Sequence, residues 1–430
     1  MRRRFAMGSV ALLGAATLVL AGCTGGASNT GGQADNDGGP QTITYLIGQP
    51  ENPADVDKIK KDIATFEAAT PDVKVKLTTM PNDQLRTVLQ TQLRSGKGPD
   101  VFGYDTGPGF AGVLAEAGLL HDLTAAYQEH DWKIYDWAKE RVTFDNTVLG
   151  VPDQVEELGI YYNKDLFAEH GIAEPKTIAD LDAAAAKLKA AGIIPITFSD
   201  KEGWQGGHIL SMSLASSIGS KRMRELIDGK ASWSSPEVVQ AIDTFFVRFN
   251  QKQYLPKTPT AVTYDNANAL FYSGKAAMNA TGTWLANDLR TAAKFQVGFM
   301  PFPGPSGPGI YAGGLGAGTF VSAKTKYPDA AVKFLNYLLT PEHGQWQVNE
   351  FRSIPAFPVD TSNVKADPLF KQILADTSKI SAGTGDFGVN IDVLTSERFN
   401  EAMSSGLQAV LTGSKTPQQV ADALQKASSK

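Results

Sequence analysis

Cysteine is almost missing from this chain: Cys23 is the only one in 430 residues. A lone thiol makes neither an intrachain disulfide nor a cysteine-based metal cage, so both of those scaffolds are excluded. Histidine is also scarce, and His121, His130, His170, His208 and His343 show no zinc-protease spacing. Basic charge is in short supply: 40 Lys and Arg stand against 45 Asp and Glu, and without Arg2, Arg3 and Arg4 the 40 fall to 37, a formal charge of −8. That balance argues against a nucleic-acid partner, whose phosphates recruit Lys and Arg. No phosphate P-loop is present, because Gly274 with Lys275 lacks both the upstream glycine and the following Ser or Thr. The stretch Gly313, Gly314, Leu315, Gly316, Ala317, Gly318 runs into Thr319, Phe320 and Val321, which reads as strand, whereas a dinucleotide loop opens a helix. Glu156 and Glu157 supply two carboxylates, the groups used in glycoside hydrolysis, but neighbours on a strand point to opposite faces. A catalytic pair would need a distant second member such as Asp105.

Long apolar runs are lacking too, apart from one at the start. Arg2, Arg3 and Arg4 precede a mostly apolar run from Phe5 to Ala21, shorter than the roughly 20 residues a stable spanning helix usually needs. A cleavable export signal over 1–22 is therefore expected. Leu20, Ala21, Gly22 and Cys23 resemble the bacterial lipobox, in which cleavage leaves the cysteine as a lipid-carrying N-terminus, and this reading explains why an exported chain keeps one thiol. Arg2, Arg3 and Phe5 also partly match a twin-arginine pattern, so the export route stays open. From Thr24 to Pro40 the chain is almost all Gly, Ser, Thr, Asn, Asp and Gln, which reads as a flexible tether over 23–40. The remainder is long enough for two or three domains, and 42% hydrophobic with 20% charged residues is an ordinary globular composition.

Along that remainder, strand and helix signals alternate. Thr42 to Ile47 is β-rich, and from Pro53 onward Val56, Ile59, Ile63 and Phe66 recur at helical spacing. Val73, Val75 and Leu77 then alternate with Lys74, Lys76 and Thr78, the period of a half-buried strand. Leu85, Val88, Leu89 and Leu93 form the next helical stripe, and Gly98 to Phe102 leads into another strand. A β-α-β-α-β opening predicts a parallel sheet covered by helices. Later helices announce their starts: Thr177 with Asp180 and Thr416 with Gln419 fit capping boxes, while Pro236 and Pro341 follow Ser235 and Thr340 at the first helical position. No repeat of 20 to 50 residues is apparent, which argues against a solenoid.

Four stretches, in order, resemble the family 1 extracellular solute-binding proteins, the maltodextrin and multiple-sugar-binding group of bacterial ABC importers. They are Gly98 to Val101 with Asp105 and Gly118 to Leu120; Val151 to Glu156 followed by Ile160 to Phe167; Phe271 to Met278 with Gly282 and Trp284; and Gly313, Gly314 with Ala330, Ala331, Phe334, Leu335 and Leu338. The resemblance runs from about Thr42 to the C-terminus. It implies an α/β, two-domain periplasmic-binding-protein-like fold of type II, with the ligand cleft between domains joined by crossing strands. The domains would be 41–155 with 314–354, and 156–313 with 355–430.

The resemblance further implies a substrate-binding protein and not an enzyme, needing no cofactor and no metal. Its partners would be an oligosaccharide, the permease subunits of an ABC importer and, through lipid on Cys23, the membrane; a monomer outside the cytoplasm is expected. The ligand-binding candidates are Asp105 and Glu156 as acceptors for sugar hydroxyls, Trp284 and Trp204 as stacking platforms, Phe387 as a further aromatic, Gln49 from its place after the first strand, and Gly314 as a point of close backbone approach. Tyr161 and Tyr162 also suggest the tyrosine pair of ferric-ion binders, but no His or Glu cluster with ligand spacing accompanies them, so strand packing is the reading. A cationic solute such as a polyamine is the chief alternative, because carboxylates and tryptophans also cage ammonium groups. A secreted glycoside hydrolase is the second.

Overall fold

The computed structural model describes residues 39–429 apart from Glu51 and Gly385, so the signal segment, Cys23 and most of the tether lie outside the described residues. The chain opens with β1 (Gln41–Gly48), α1 (Ala54–Ala69), β2 (Val73–Met80), α2 (Asn82–Ser95) and β3 (Val101–Asp105), the predicted alternation. Strand β1 runs parallel to both β2 and β3. The periodicities have their expected cause. Val73 and Val75 of β2, Ile63 and Phe66 of α1, and Leu85, Leu89 and Leu93 of α2 are all buried in one core with Phe102, Phe320 and Phe334.

After several short helices the chain rejoins this sheet as β4 (Gly150–Pro152), turns at Asp153 and enters a second sheet as β5 (Gln154–Asn163). There follow α3 (Ile178–Ala190), β6 (Ile194–Thr197), α4 (Trp204–Ile227), α5 (Tyr264–Tyr272), β7 (Ala276–Gly282), α6 (Ala286–Ala292), β8 (Val297–Met300) and β9 (Ala312–Leu315). At Gly316 the chain returns to the first sheet as β10 (Ala317–Val321), continued by α7 (Pro328–Leu338) and α8 (Pro341–Phe351). It then recrosses to β11 (Ile354–Pro355), α9 (Pro368–Ser381), β12 (Gly388–Val389), α10 (Glu397–Leu411) and α11 (Pro417–Ser428).

The first sheet has the order β2-β1-β3-β10-β4 and the second β12-β9-β5-β7-β6, with β8 and β11 also paired to β5. Each sheet has its own core, so the chain forms two lobes. The second core is the larger, built on Ile160, Phe198, Phe245, Phe246 and Phe302, and helices α10 and α11 close it through Phe399, Leu407 and Leu424. The crossings at Asp153 and Gly316 lie two or three residues from the expected domain limits of 155 and 314, which fall inside β5 and β9. The glycine-rich stretch is strand on both sides of Gly316, as the following Thr-Phe-Val indicated.

Candidate functional site

The crossing segment between β9 and β10 brings two of the predicted acids together. Gly314 pairs opposite Glu156 on β5, and Ala317 pairs opposite Asp105 on β3. Between them the Gly316 carbonyl accepts from the Thr106 amide at 2.9 Å. Glycine is required at 314 by its backbone, and at 316 a side chain would displace the Glu156 carboxylate. Gly314 has φ +133° and open space where a Cβ would point, while a Cβ on Gly316 would lie 2.3 Å from Glu156 Oε2.

Asp105 is held by Arg86 of α2, whose Nε donates to Oδ2 at 2.6 Å, and the guanidinium lies over the Phe110 ring. Burial works against the Arg86 charge, but the Asp105 carboxylate outweighs it and raises the guanidinium further above its ordinary value. Glu156 accepts from Gln154 Nε2 at 2.9 Å. Burial pushes the Glu156 carboxyl up to about 8; the Gln154 bond opposes this, and the charges of Asp153, Asp105 and Asp392 add to it. Glu157 faces the other way, as strand geometry requires. It is fully buried, neither carboxylate oxygen has a hydrogen-bond partner, and burial followed by the charge of Asp376 pushes it up to about 9.

The second lobe supplies aromatic surface. Trp204 begins α4 immediately after Gly203, a left-handed position at φ +82°, and Trp284 follows the last residue of β7 by two positions. Both indoles are half-buried, with ring centroids 6.4 Å apart. His208 packs beside both, 5.0 Å from Trp204 and 5.6 Å from Trp284. Tyr264 of α5 packs against Trp204 at 4.8 Å and accepts from Trp284 Nε1 at 2.8 Å. Trp284 also packs against two hydrophobic cores, whereas Trp204 contributes to none of them. Strand β5 links the two groups, since the Glu157 amide donates to Thr283 Oγ1, next to Trp284, at 3.1 Å. Asp392 links them again: its Oδ2 is 3.4 Å from His208 Nε2, and its charge acts on both Arg86 and Glu156. The lobes meet beside it, where a Cβ on Gly107 would lie 1.9 Å from the Val393 carbonyl.

Of the sequence candidates, Asp105, Glu156 and Gly314 lie together at the crossing strands, and Trp204 and Trp284 lie together in the second lobe, linked to them through Thr283 and Asp392. Gln49 is exposed just beyond β1, and carrying on the register of Tyr45 with Val101 brings it level with Asp105. Phe387 is not brought into this group. It precedes β12, whose register sets it level with Tyr311 and sets Asn390 level with Gly314. Tyr161 and Tyr162 donate to the Gly282 carbonyl and to Glu174, which accounts for both as strand packing. Among the described residues no cluster of His, Cys, Asp and Glu is arranged to hold a metal. Nor is any described helix long and apolar enough to cross a membrane. Two shallow depressions of about 410 and 290 Å³, beside Asn266 and Lys275 and beside Lys60 and Glu67, lie elsewhere and contain no buried unpartnered polar group.

Sequence reasoning missed Arg86, His208, Asn390 and Asp392. Arg86 adjoins the buried stripe of α2 and looks like its solvent face. The other end carried a weaker signal: Asn390 and Asp392 are polar residues interleaved with the apolar Val389 and Ile391, and all four are buried.

The profile described as bacterial extracellular solute-binding protein matches residues 51–345, and the chain belongs to that family. An uncharacterized ABC transporter extracellular-binding protein of Pyrococcus horikoshii is 30% identical over 70% of this chain and 68% of its own. The multiple sugar-binding protein of Streptococcus mutans is 28% identical over 88% of this chain and 89% of its own. Among solved structures, a chitin oligosaccharide binding protein superposes with TM-score 0.80 at 23% identity, covering 90% of this chain and 98% of that one. That likeness establishes the fold, the two-domain type II architecture of periplasmic sugar-binding proteins.

Proposed function

We propose that this chain is the sugar-binding component of an ABC importer and holds a neutral oligosaccharide in the cleft between its lobes. The observation that carries the reading is the pair of half-buried indoles, Trp204 and Trp284, joined through strand β5 and Asp392 to the group of Asp105, Arg86 and Glu156. A pyranose ring offers an apolar C–H face to an indole and hydroxyls to carboxylates, and this region supplies both. Membership of a solute-binding family, and relatives named for multiple sugars and maltodextrin, support it. A cationic solute fits less well. Arg86 neutralises Asp105, and a carboxyl with a pKa of about 8 leaves Glu156 mostly uncharged at neutral pH, so these two acids offer an ammonium group little charge and Asp392 is the acid that remains near the indoles. Thermal-shift titration of the mature chain should give a melting temperature that climbs with raffinose, maltotriose, chitotriose or xylotriose, and no response to spermidine or putrescine. The reverse pattern would favour the polyamine reading.

One observation favours a hydrolase: a carboxyl raised in pKa beside a second carboxylate is the arrangement of a glycosidase acid and its partner. The Asp105 ion pair opposes it, since the Arg86 guanidinium bound to Oδ2 draws charge from the carboxylate and makes it a weaker nucleophile. Oligosaccharide recovered after overnight incubation with stoichiometric protein should be unchanged; release of shorter sugars, abolished by Glu156→Gln, would establish hydrolysis. The same reading includes delivery to membrane permease subunits, and anchoring by lipid on Cys23, which keeps the protein in the detergent phase of a partition assay. Cys23→Ser should move it to the aqueous phase.

A further inference from the structure

The Asp392 carboxylate is buried, 7% exposed, yet its Oδ1 has no hydrogen-bond partner. A buried unpaired carboxylate oxygen is costly, and such a group calls for an explanation. Its backbone is firmly held: Asn400 Nδ2 donates to the Asp392 carbonyl at 2.7 Å, and Ser211 Oγ accepts from the Ile391 amide at 3.0 Å. The side chain is aimed by a second set of contacts. Asp392 Oδ2 faces His208 Nε2, the same nitrogen approaches Asn390 Nδ2 at 3.2 Å, and the His208 ring packs edge-on beside both the Trp204 and Trp284 rings. The next residue, Val393, meets Gly107 of the other lobe, so Asp392 lies at the junction of the lobes, where its charge acts on Arg86 and Glu156. A fixed backbone, one oriented oxygen and one unused oxygen beside two indoles describe an acceptor prepared for a donor that the protein does not supply.

We propose that Asp392 is a ligand-contacting specificity determinant, its Oδ1 accepting a hydrogen bond from a ring hydroxyl of the sugar held against the Trp204 and Trp284 pair. His208 and Asn390 are positioning residues that fix the direction of that bond. The inference rests on the oligosaccharide reading of the cleft. Asp392 would discriminate between sugars by a charge-assisted bond, which is roughly twice as strong as a neutral one. A sugar lacking that hydroxyl leaves the oxygen buried and unpaired, so rejection of the deoxy compound is strong.

The test is calorimetric titration of the mature protein with raffinose, maltotriose, chitotriose and xylotriose, then with monodeoxy derivatives of the tightest binder. Asp392→Ala should weaken binding at least tenfold, and Asp392→Asn, which keeps the shape and is the safer variant to fold, at least threefold. The wild type should lose tenfold or more for one deoxy position; that penalty should shrink below twofold in Asp392→Ala, where one bond cannot be lost twice, and to about threefold in Asp392→Asn, whose amide oxygen still accepts a neutral bond. His208→Ala and Asn390→Ala should flatten the same penalty without abolishing binding. Affinity within twofold of wild type in both Asp392 variants, with the deoxy penalties unchanged, would overturn the assignment of Asp392 while leaving the sugar site intact. Failure of all four sugars to bind the wild type would overturn the oligosaccharide reading and this inference with it.

Discussion

At the scale of single residues, strand β5 places two adjacent carboxyls in different surroundings. Glu156 faces the cleft and its Gln154 partner, while Glu157 enters the protein with both oxygens unpartnered. A carboxyl held near 9 when folded but at its ordinary 4.5 when unfolded binds more protons in the folded state throughout that interval. Stability from this group is therefore complete at low pH and declines as pH rises from about 4.5 toward 9. Glu157→Gln, which imitates the protonated form, should melt at nearly the wild-type temperature at pH 5 and several degrees higher than wild type at pH 8. Parallel melting curves across that range would show that Glu157 is not the group responsible. The pair also marks what the sequence revealed. That the two residues part to opposite faces follows from strand geometry alone, but which face is the cleft depends on β9, paired from about 150 residues further along the chain.

At the scale of elements, local chemistry set the helix starts. The Thr177–Asp180 and Thr416–Gln419 capping boxes both form, and Thr340 accepts from the His343 amide ahead of Pro341 at the first helical position. Pro236 also takes that position in its helix, although the Ser235 side chain makes no capping bond. Thr416→Ala should cost about 1 kcal/mol in urea unfolding, the usual value of such a cap. The β9 turn obeys a different rule. At φ +133° Gly314 adopts a backbone region nearly closed to other residues, so Gly314→Ala should cost about 1–3 kcal/mol despite the free space around it. Gly307→Ala, also in open space but with no left-handed φ, should have little effect and serves as the control.

At the scale of the whole molecule, the lobes touch at a second point, away from Asp392. Asn287 of α6 donates to Asp55 Oδ2 of α1 at 2.9 Å, and Lys58 reaches Asp55 Oδ1 at 2.9 Å and the Glu350 carbonyl at 3.3 Å. Asp55 is only 3% exposed, so this bond between lobes is dry and its loss leaves a buried charge with one partner fewer. Hinge closure is the motion expected of two lobes joined by crossing strands. Asn287→Ala should therefore favour the open form. Small-angle scattering should give a larger radius of gyration for the unliganded variant than for wild type, and sugar affinity should fall severalfold although neither residue contacts the proposed aromatic site. An unchanged radius would assign the contact to local packing.

The amino-acid sequence by itself determined what depends on near neighbours: the alternation that makes β2 a half-buried strand, the helical stripes of α1 and α2, the caps, and the strand character of the Gly313–Gly318 stretch. It also carried enough ordered motif to offer Asp105, Glu156, Gly314 and Trp284 as candidates, with Trp204 added as a second aromatic. The tertiary structure alone decided the pairings that aim these groups. Arg86 meets Asp105 because α2 packs on the sheet containing β3, and Asn390 meets His208 across 182 residues because β12 joins the edge of the second sheet beside β9. Hydrogen bonds of that kind leave no periodic trace in the sequence, since their geometry is set by which strands become neighbours and not by the spacing of residues along the chain.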